Sequence, residues 1–154
     1  MDQSNRREPM KPAVALAMLQ RDHRWLLQLR DDRSTILYPG HWGLFGGHLE
    51  PGETPDQAVQ RELEEEIAWR PGERIRPWFS DARGSRVVHV FRGELVHPLE
   101  KLQLLEGQDW TLASLEQLRS GSIWSERRQE KRPIAPGLMV VVQRLLTEAD
   151  PHAI

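Results

Sequence analysis

Short apolar runs separated by polar clusters dominate the first third of the chain. Residues 13–19 are apolar, residues 20–24 are polar, and residues 25–29 are mostly apolar again. Runs of this length predict two strands joined by a tight turn. A third, short strand is predicted at residues 42–45, inside a long stretch rich in Gly and Pro. Loops this long in small domains are usually functional, so we expect this stretch to contribute to a site.

The clearest helix signal in the chain follows Thr54. Thr54 suits an N-cap, Pro55 suits the first helical position, and Gln57 lies where it completes a capping box. Since Pro71 and the glycine after it do not continue a helix, we expect this helix to run to about Arg70.

The second half of the chain also alternates strands and helices. The pattern predicts, in chain order, strands at residues 74–81 and 86–95, extended segments at residues 101–105 and 109–112, a short helix from Ser114 and a final helix after Pro136. In the final helix, Leu138, Val141, Val142 and Leu145 recur at helical spacing. The order strands, helix, strands, helix predicts a mixed β-sheet sandwiched between helices, an α+β or α/β fold.

The length and charge of the chain limit its organisation and its partners. A chain of 154 residues suits one domain. We assign residues 12–149 to that domain, between flexible tails at residues 1–11 and 150–154. With 21 Lys and Arg against 23 Asp and Glu, the formal net charge is -2. The overall electrostatic field therefore does not favour nucleic acid or an anionic membrane as a partner.

Two absences from the sequence narrow the protein class further. The chain has no Cys, which excludes disulfides, thiol nucleophiles and thiolate metal sites. Residues 1–10 lack the apolar core of a signal peptide, and no run is long enough to cross a bilayer. We therefore expect a cytoplasmic protein without a membrane partner. A homodimer is compatible with the sequence, but no residue pattern decides it.

Three carboxylates share one face of the predicted helix after Thr54. At 100° per residue, Glu62, Glu65 and Glu66 gather beside the apolar stripe of that helix. Two carboxylates about 5.5 Å apart repel by roughly 3 kcal/mol at an effective dielectric near 20. A divalent cation with oxygen ligands is the natural compensation. Such a run alone is more often a solvated helix face, but the glycine-rich loop before it favours a binding site.

The segment from Gly47 to Trp69 resembles the Nudix box. The family pattern is Gly, five residues, Glu, seven residues, then Arg-Glu-aliphatic-any-Glu-Glu-any-Gly-aliphatic. The positions that match by identity are Gly47, Glu53, Arg61, Glu62, Glu65 and Glu66. The departures are Ala68 for the usual Gly, Trp69 for the aliphatic residue, and Phe45 where many relatives have Pro.

This resemblance implies a Nudix fold and a reaction class. Nudix proteins typically hydrolyse a pyrophosphate bond in a nucleoside diphosphate linked to another moiety, using Mg²⁺ or Mn²⁺ and an attacking water. By analogy Glu62, Glu65 and Glu66 are the metal ligands, with the carbonyl of Gly46 as a fourth and with Glu65 and Glu66 as catalytic residues. The box implies a supporting role for a further pair, Glu53 and Arg61.

Residues outside the box are candidates for the remaining roles. Glu106, in a Glu-Gly pair like one that supplies a ligand or base in some relatives, is the candidate base, although a surface turn is the alternative. Arg30 and Arg33 are candidates for phosphate contacts, since a guanidinium fork matches phosphate. Gly47 is a candidate for close backbone approach to the substrate. Trp42 is a candidate for stacking on a base, as are Trp78 and Trp110, although a Trp is more often in the core.

Two other functions stay open at the level of sequence. A Nudix-fold module that senses a nucleotide without turnover is one, but such modules commonly lose box carboxylates. An RNA 5′-end pyrophosphohydrolase is the other, prompted by the basic residues between Arg127 and Arg132, although Glu126 and Glu130 interleave with them. Nudix enzymes that clear oxidised guanine nucleotides often read the purine with an Asn before the last helix, whereas the only Asn here is Asn5, so the resemblance disfavours that role. The group attached to the diphosphate is not encoded in the box.

Overall fold

The computed structural model describes residues 12–154. Its strands are β1 (Ala13–Arg21), β2 (Arg24–Leu29), β3 (Trp42–Gly43), β4 (Phe45–His48), β5 (Ile75–Arg83), β6 (Arg86–Glu94), β7 (Asp109–Ser114), β8 (Ser122–Ser125) and β9 (Glu130–Pro133). Its helices are α1 (Pro55–Ile67), α2 (Leu115–Ser120) and α3 (Pro136–Leu146), with short 3-10 turns at Gly72–Arg74 and Leu99–Lys101. The tail predicted at residues 1–11 lies outside the described residues.

Within the described range, seven strands form one mixed sheet centred on β1. Strand β1 pairs antiparallel with β2 on one side and parallel with β6 on the other. The β1–β2 turn is made by Asp22 and His23, whose φ angles of 49° and 63° both lie in the left-handed region. Two such residues give the turn type whose twist matches a hairpin. The predicted mixed sheet is confirmed.

Helices cover both faces of this sheet. Neighbouring residues of β1 point to opposite faces, so Ala17 belongs to the cluster under α1 and Met18 to the cluster under α3. Leu63 of α1 and Val141 of α3 are buried in these two clusters. Sandwiching of the sheet between helices, as the sequence predicts, is therefore confirmed.

Helix α1 ends three residues earlier than the sequence predicts. It stops at Ile67, and Ala68 takes the left-handed conformation (φ 56°, ψ 36°), with its N–H donating to the carbonyl of Glu64. The prediction that the helix continues to about Arg70 is wrong. Ala pays roughly 1 kcal/mol or more for this conformation. The carbonyl of Glu66 accepts a hydrogen bond of 2.8 Å from the N–H of Leu105, so a distant segment fixes this exit.

Four further features differ from the pattern. The strand predicted at residues 42–45 is divided, because β3 pairs with β2 while β4 pairs with β1. Residues 102–105 form no strand. The basic run lies in the β8–β9 hairpin, which the sequence does not predict. The segment predicted as a tail at residues 150–154 packs on the sheet, since the ring of His152 stacks on Trp25 with centroids 5.1 Å apart.

Among the described residues, no helix is both long and apolar enough to span a membrane.

Candidate metal and substrate site

Three carboxylates meet where α1 approaches the loop before β7. One oxygen of each of Glu62, Glu66 and Glu106 lies within 4.8 Å of the others. Glu66 is 1% exposed, Glu62 is half-buried and Glu106 is exposed. The pairing of β7 with β2 carries Glu106 to this place, although it follows Glu66 by 40 residues in the chain. The arrangement offers clustered oxygen ligands, which hard divalent cations prefer.

Backbone and amide donors fix the buried carboxylate of Glu66. The N–H of Gly46 donates to Oε1 at 2.9 Å, and Nε2 of Gln28 donates to Oε2 at 3.3 Å. The same Nε2 donates to the carbonyl of Glu106 at 3.0 Å. Gln28 is only 4% exposed and thus links strand β2 to both acidic segments. It is not among the residues predicted from sequence: an amide inside the apolar run 25–29 is unusual, but the run does not indicate its partners.

The electrostatics of the cluster favour a cation. Burial, followed by the charges of Glu106 and Glu62, raises the pKa of Glu66 to about 9, against the opposing effect of the Gly46 N–H. Partial burial and the charge of Glu62 also raise the pKa of Glu106. These carboxylates repel one another when they are all ionised. A divalent cation would relieve that repulsion, so the residues present fit a metal site.

Arg61 joins the glycine-rich loop to α1. Its Nε and Nη2 donate to the two carboxylate oxygens of Glu53 at 2.8 and 2.9 Å, and Nη2 also donates to the carbonyl of His48 at 3.1 Å. Its Nη1 contacts Glu62 at 3.1 Å and Glu65 at 3.3 Å. The hydrogen bond from Arg61, with one from the N–H of Glu50, lowers the pKa of Glu53 to about 2. This two-pronged pair fixes the loop against the acidic face.

A cleft of about 450 Å³ opens beside the acidic cluster. Glu62 and Glu106 line it, and so does Arg30, whose Nε donates to the carbonyl of Leu37 at 2.7 Å. A Cβ at Gly47 would lie 2.6 Å from Oε1 of Glu62, so a larger residue there would displace that carboxylate. A cleft of this size holds a small organic ligand.

Comparison with known proteins decides the family of this fold. A model of the NUDIX domain matches residues 9–135. The chain belongs to this family. Nudix hydrolases generally use divalent metals, in agreement with the cluster of carboxylates.

Nucleoside triphosphatase NudI of Escherichia coli O1:K1 is similar to part of this Nudix domain. It is 40% identical over 75 residues, which are 44% of this chain and 49% of NudI. The chain therefore spans about half the length of the curated relatives it matches.

Two solved structures share the Nudix fold over most of the chain. A MutT structure from work on Aliivibrio salmonicida and Vibrio cholerae has a TM-score of 0.67 at 20% identity, over 88% of this chain and 96% of that one. The NUDIX domain of Shewanella oneidensis NrtR, solved with ADP ribose, has a TM-score of 0.62 at 20% identity, over 94% of this chain and 90% of that one. Both likenesses concern the fold.

The box residues of this Nudix domain are not all brought into one cluster. Glu62 and Glu66 meet Glu106, whereas Glu65 is outside the group, with its side chain 58% exposed and paired with Arg61. Gly46 lines the cleft and contacts Glu66 through its N–H. Metal binding by Glu62, Glu65, Glu66 and the Gly46 carbonyl stays a prediction.

The structure places only some of the predicted substrate-binding residues at the cleft. Arg30 lines the cleft, but Arg33 does not, since its 69% exposed side chain pairs with Asp31. Trp42 is a correction, because it is fully buried in the core under α3 and its Nε1 donates to the carbonyl of Ile123 at 3.0 Å. A fully buried indole presents no face to a base. Arg86 lines the cleft and is absent from the sequence-based predictions.

Proposed function

We propose that this chain is a Mg²⁺-dependent hydrolase that cleaves a pyrophosphate bond of a nucleotide. The proposed substrate is a nucleoside triphosphate or a nucleoside diphosphate linked to another moiety. The observation that carries this proposal is the group of three carboxylates, from α1 and the loop before β7, beside a ligand-sized cleft. The nucleoside triphosphatase activity in the name of NudI supports it.

In this proposal, the cation is held by Glu62, Glu66 and Glu106, with Glu65 and the Gly46 carbonyl as further ligands. Mg²⁺, or Mn²⁺ in its place, would neutralise charge on the diphosphate oxygens and acidify the attacking water. The ligands themselves are kept in position by the donors from Gly46 and Gln28.

Other side chains of the protein are proposed to activate the water and to contact the diphosphate. Glu106 also lines the cleft and is the proposed base, acting through the carboxylate oxygen that does not hold the cation. Arg30 is the proposed contact for the diphosphate, since its guanidinium lines the same cleft. The Glu53–Arg61 pair holds the glycine-rich loop against α1 beside the cleft.

An RNA 5′ end is a weaker candidate substrate. Each arginine of the basic run is paired with an acid: Arg127 with Asp109, Arg128 with Asp32 and Glu130, and Arg132 with the same two. An arginine paired with a carboxylate contributes little net positive charge to attract a phosphate backbone. We therefore favour a small nucleotide over nucleic acid.

A substrate panel tests the proposed function. Nucleoside triphosphates, ADP-ribose, nucleotide sugars, dinucleoside polyphosphates and 5′-triphosphorylated RNA are each incubated with Mg²⁺, Mn²⁺ or EDTA, and products are separated by chromatography. We expect metal-dependent release of a nucleoside monophosphate from at least one small nucleotide. Binding of a nucleotide by calorimetry, without any product in either metal, would instead establish a sensing module and overturn the proposal.

A further inference from the structure

Arg86 lies where two cavities of the molecule meet. The cleft beside the carboxylates is lined in part by Arg86, and so is a second cavity of about 390 Å³ between α3 and the β5–β6 hairpin. Leu37, Tyr38 and Gly137 also line both cavities. A nucleotide with its diphosphate at the carboxylates would therefore direct its remaining group past Arg86.

The guanidinium of Arg86 has no partner within the part of the chain that the structure describes. Arg61, Arg92 and Arg132 all form ion pairs, whereas no ion pair or side-chain hydrogen bond involves Arg86. Arg86 is only partly exposed, at the start of β6. A half-buried cation without a partner forgoes interactions that a ligand with acceptor atoms would supply.

The surroundings of Arg86 match a neutral, flat group better than a second phosphate. Val88, Val140 and the ring of Tyr38 line the second cavity, which gives it apolar surface for a planar ring. An apolar slot with an arginine at its edge suits a flat ring that carries acceptor atoms.

The donor geometry of Arg86 discriminates among bases. A guanidinium presents two parallel N–H donors, which pair with two neighbouring acceptor atoms, such as O6 and N7 of guanine. Cytosine also presents neighbouring acceptors, O2 and N3. Adenine places an amino donor beside each of N1 and N7, and that donor would face the guanidinium.

We propose that Arg86 selects nucleotides whose base presents two adjacent acceptor atoms, guanine or cytosine, and discriminates against adenine. This inference rests on the proposed function, because it assumes that a nucleotide occupies the cleft. The discrimination expected of one two-pronged pair is about 5- to 150-fold.

Base preference is measured as the ratio of kcat/KM for each nucleoside triphosphate to that for ATP, in Mg²⁺. The same ratio is measured from calorimetric binding of the nucleoside monophosphates, which requires no turnover. We expect the wild-type protein to prefer GTP or CTP over ATP by about 5- to 150-fold. Comparison of GTP with CTP then identifies which base is recognised.

Four variants separate recognition by Arg86 from a structural role. Arg86→Ala should remove the preference, and Arg86→Gln should shift it toward ATP, because an amide pairs with N6 and N7 of adenine. Arg86→Lys retains the charge without the fork and should retain binding with less discrimination. Arg76→Gln, on the exposed side of β5 away from both cavities, should change nothing.

The failure of this inference is distinct from failure of the proposed function. If the wild-type protein and folded Arg86 variants hydrolyse nucleotides with the same kcat/KM ratios relative to ATP, the hydrolase proposal stands and the proposed role of Arg86 is overturned. A wild-type preference for ATP would overturn it as well. Circular dichroism of each variant establishes that it is folded.

Discussion

At the scale of single residues, some groups of the candidate site are predicted from the sequence and others are not. The box carboxylates are predicted from spacing, and the resemblance extends the prediction to Glu106. Gln28 is different, because its role arises only when β2, α1 and the loop before β7 come together. A lone amide within a strand has no periodicity that predicts its partners. The prediction that Trp42 stacks on a base is wrong, because the burial of a side chain depends on the packing of the whole core.

Replacement of Gln28 tests its positioning role. Gln28→Leu removes the donor to Glu66 and to the carbonyl of Glu106, and we expect Mn²⁺ affinity to fall about 10- to 100-fold, as for other residues that support metal ligands. Calorimetry or paramagnetic resonance of Mn²⁺ measures this. Gln20→Leu is the matched control, a buried amide on β1 that contacts His152 instead. Equal affinity in the Gln28 variant and the wild-type protein would refute the role.

At the scale of elements, local signals predict how elements begin better than how they end. The capping box at Thr54 is present in full, with Oγ1 accepting from the N–H of Gln57 at 3.1 Å. The end of α1 depends instead on a long-range bond from Leu105, which the sequence pattern does not contain. The β8–β9 hairpin is missed because charged residues outnumber apolar ones in it, and Ile123 is the one hairpin residue that belongs to a hydrophobic core cluster.

Ala68→Gly tests the account of the helix end. Glycine adopts the left-handed conformation of this position without a Cβ penalty, so we expect the free energy of unfolding to rise by about 1 kcal/mol. Urea denaturation followed by circular dichroism measures the change. Ala68→Ser keeps a Cβ and should leave stability near that of the wild-type protein. A loss of stability on substitution by glycine would contradict strain at this position.

At the scale of the whole molecule, packing brings the carboxylates of the acidic cluster together. Their repulsion lowers the stability of the folded protein when no cation is bound. The raised pKa of Glu66, about 9, means that its protonated form is favoured in the folded protein. The associated stability is fully present below the ordinary glutamate pKa and is lost as pH rises through about 9. The pKa of Glu53 is lowered, so its effect on stability has the opposite pH dependence. The stability contributed by its pairing with Arg61 is lost only as pH falls toward about 2. The interval from about pH 5 to 9 therefore reports mainly on the acidic cluster.

Thermal unfolding across that interval tests the effect. In EDTA, we expect the Tm of the protein to fall as pH rises from about 5 to 9, and Mg²⁺ to reduce the fall because the cation takes the place of the proton. Glu66→Gln, which does not titrate, should show a flatter profile. Identical slopes for this variant and the wild-type protein in EDTA would indicate that Glu66 does not carry the effect.

The most direct test of the central claim compares two glutamates of α1. Glu66 is buried in the acidic cluster, whereas Glu64 is exposed and paired with Arg70 at 2.6 Å, away from the cluster. The rate of nucleotide hydrolysis is measured against Mg²⁺ concentration for the wild-type protein, Glu66→Gln and Glu64→Gln. We predict a loss of at least about 100-fold for Glu66→Gln and no loss for Glu64→Gln. Full activity of a folded Glu66→Gln protein, or activity that persists in EDTA, would contradict the assignment of this cluster as the metal site of the hydrolase.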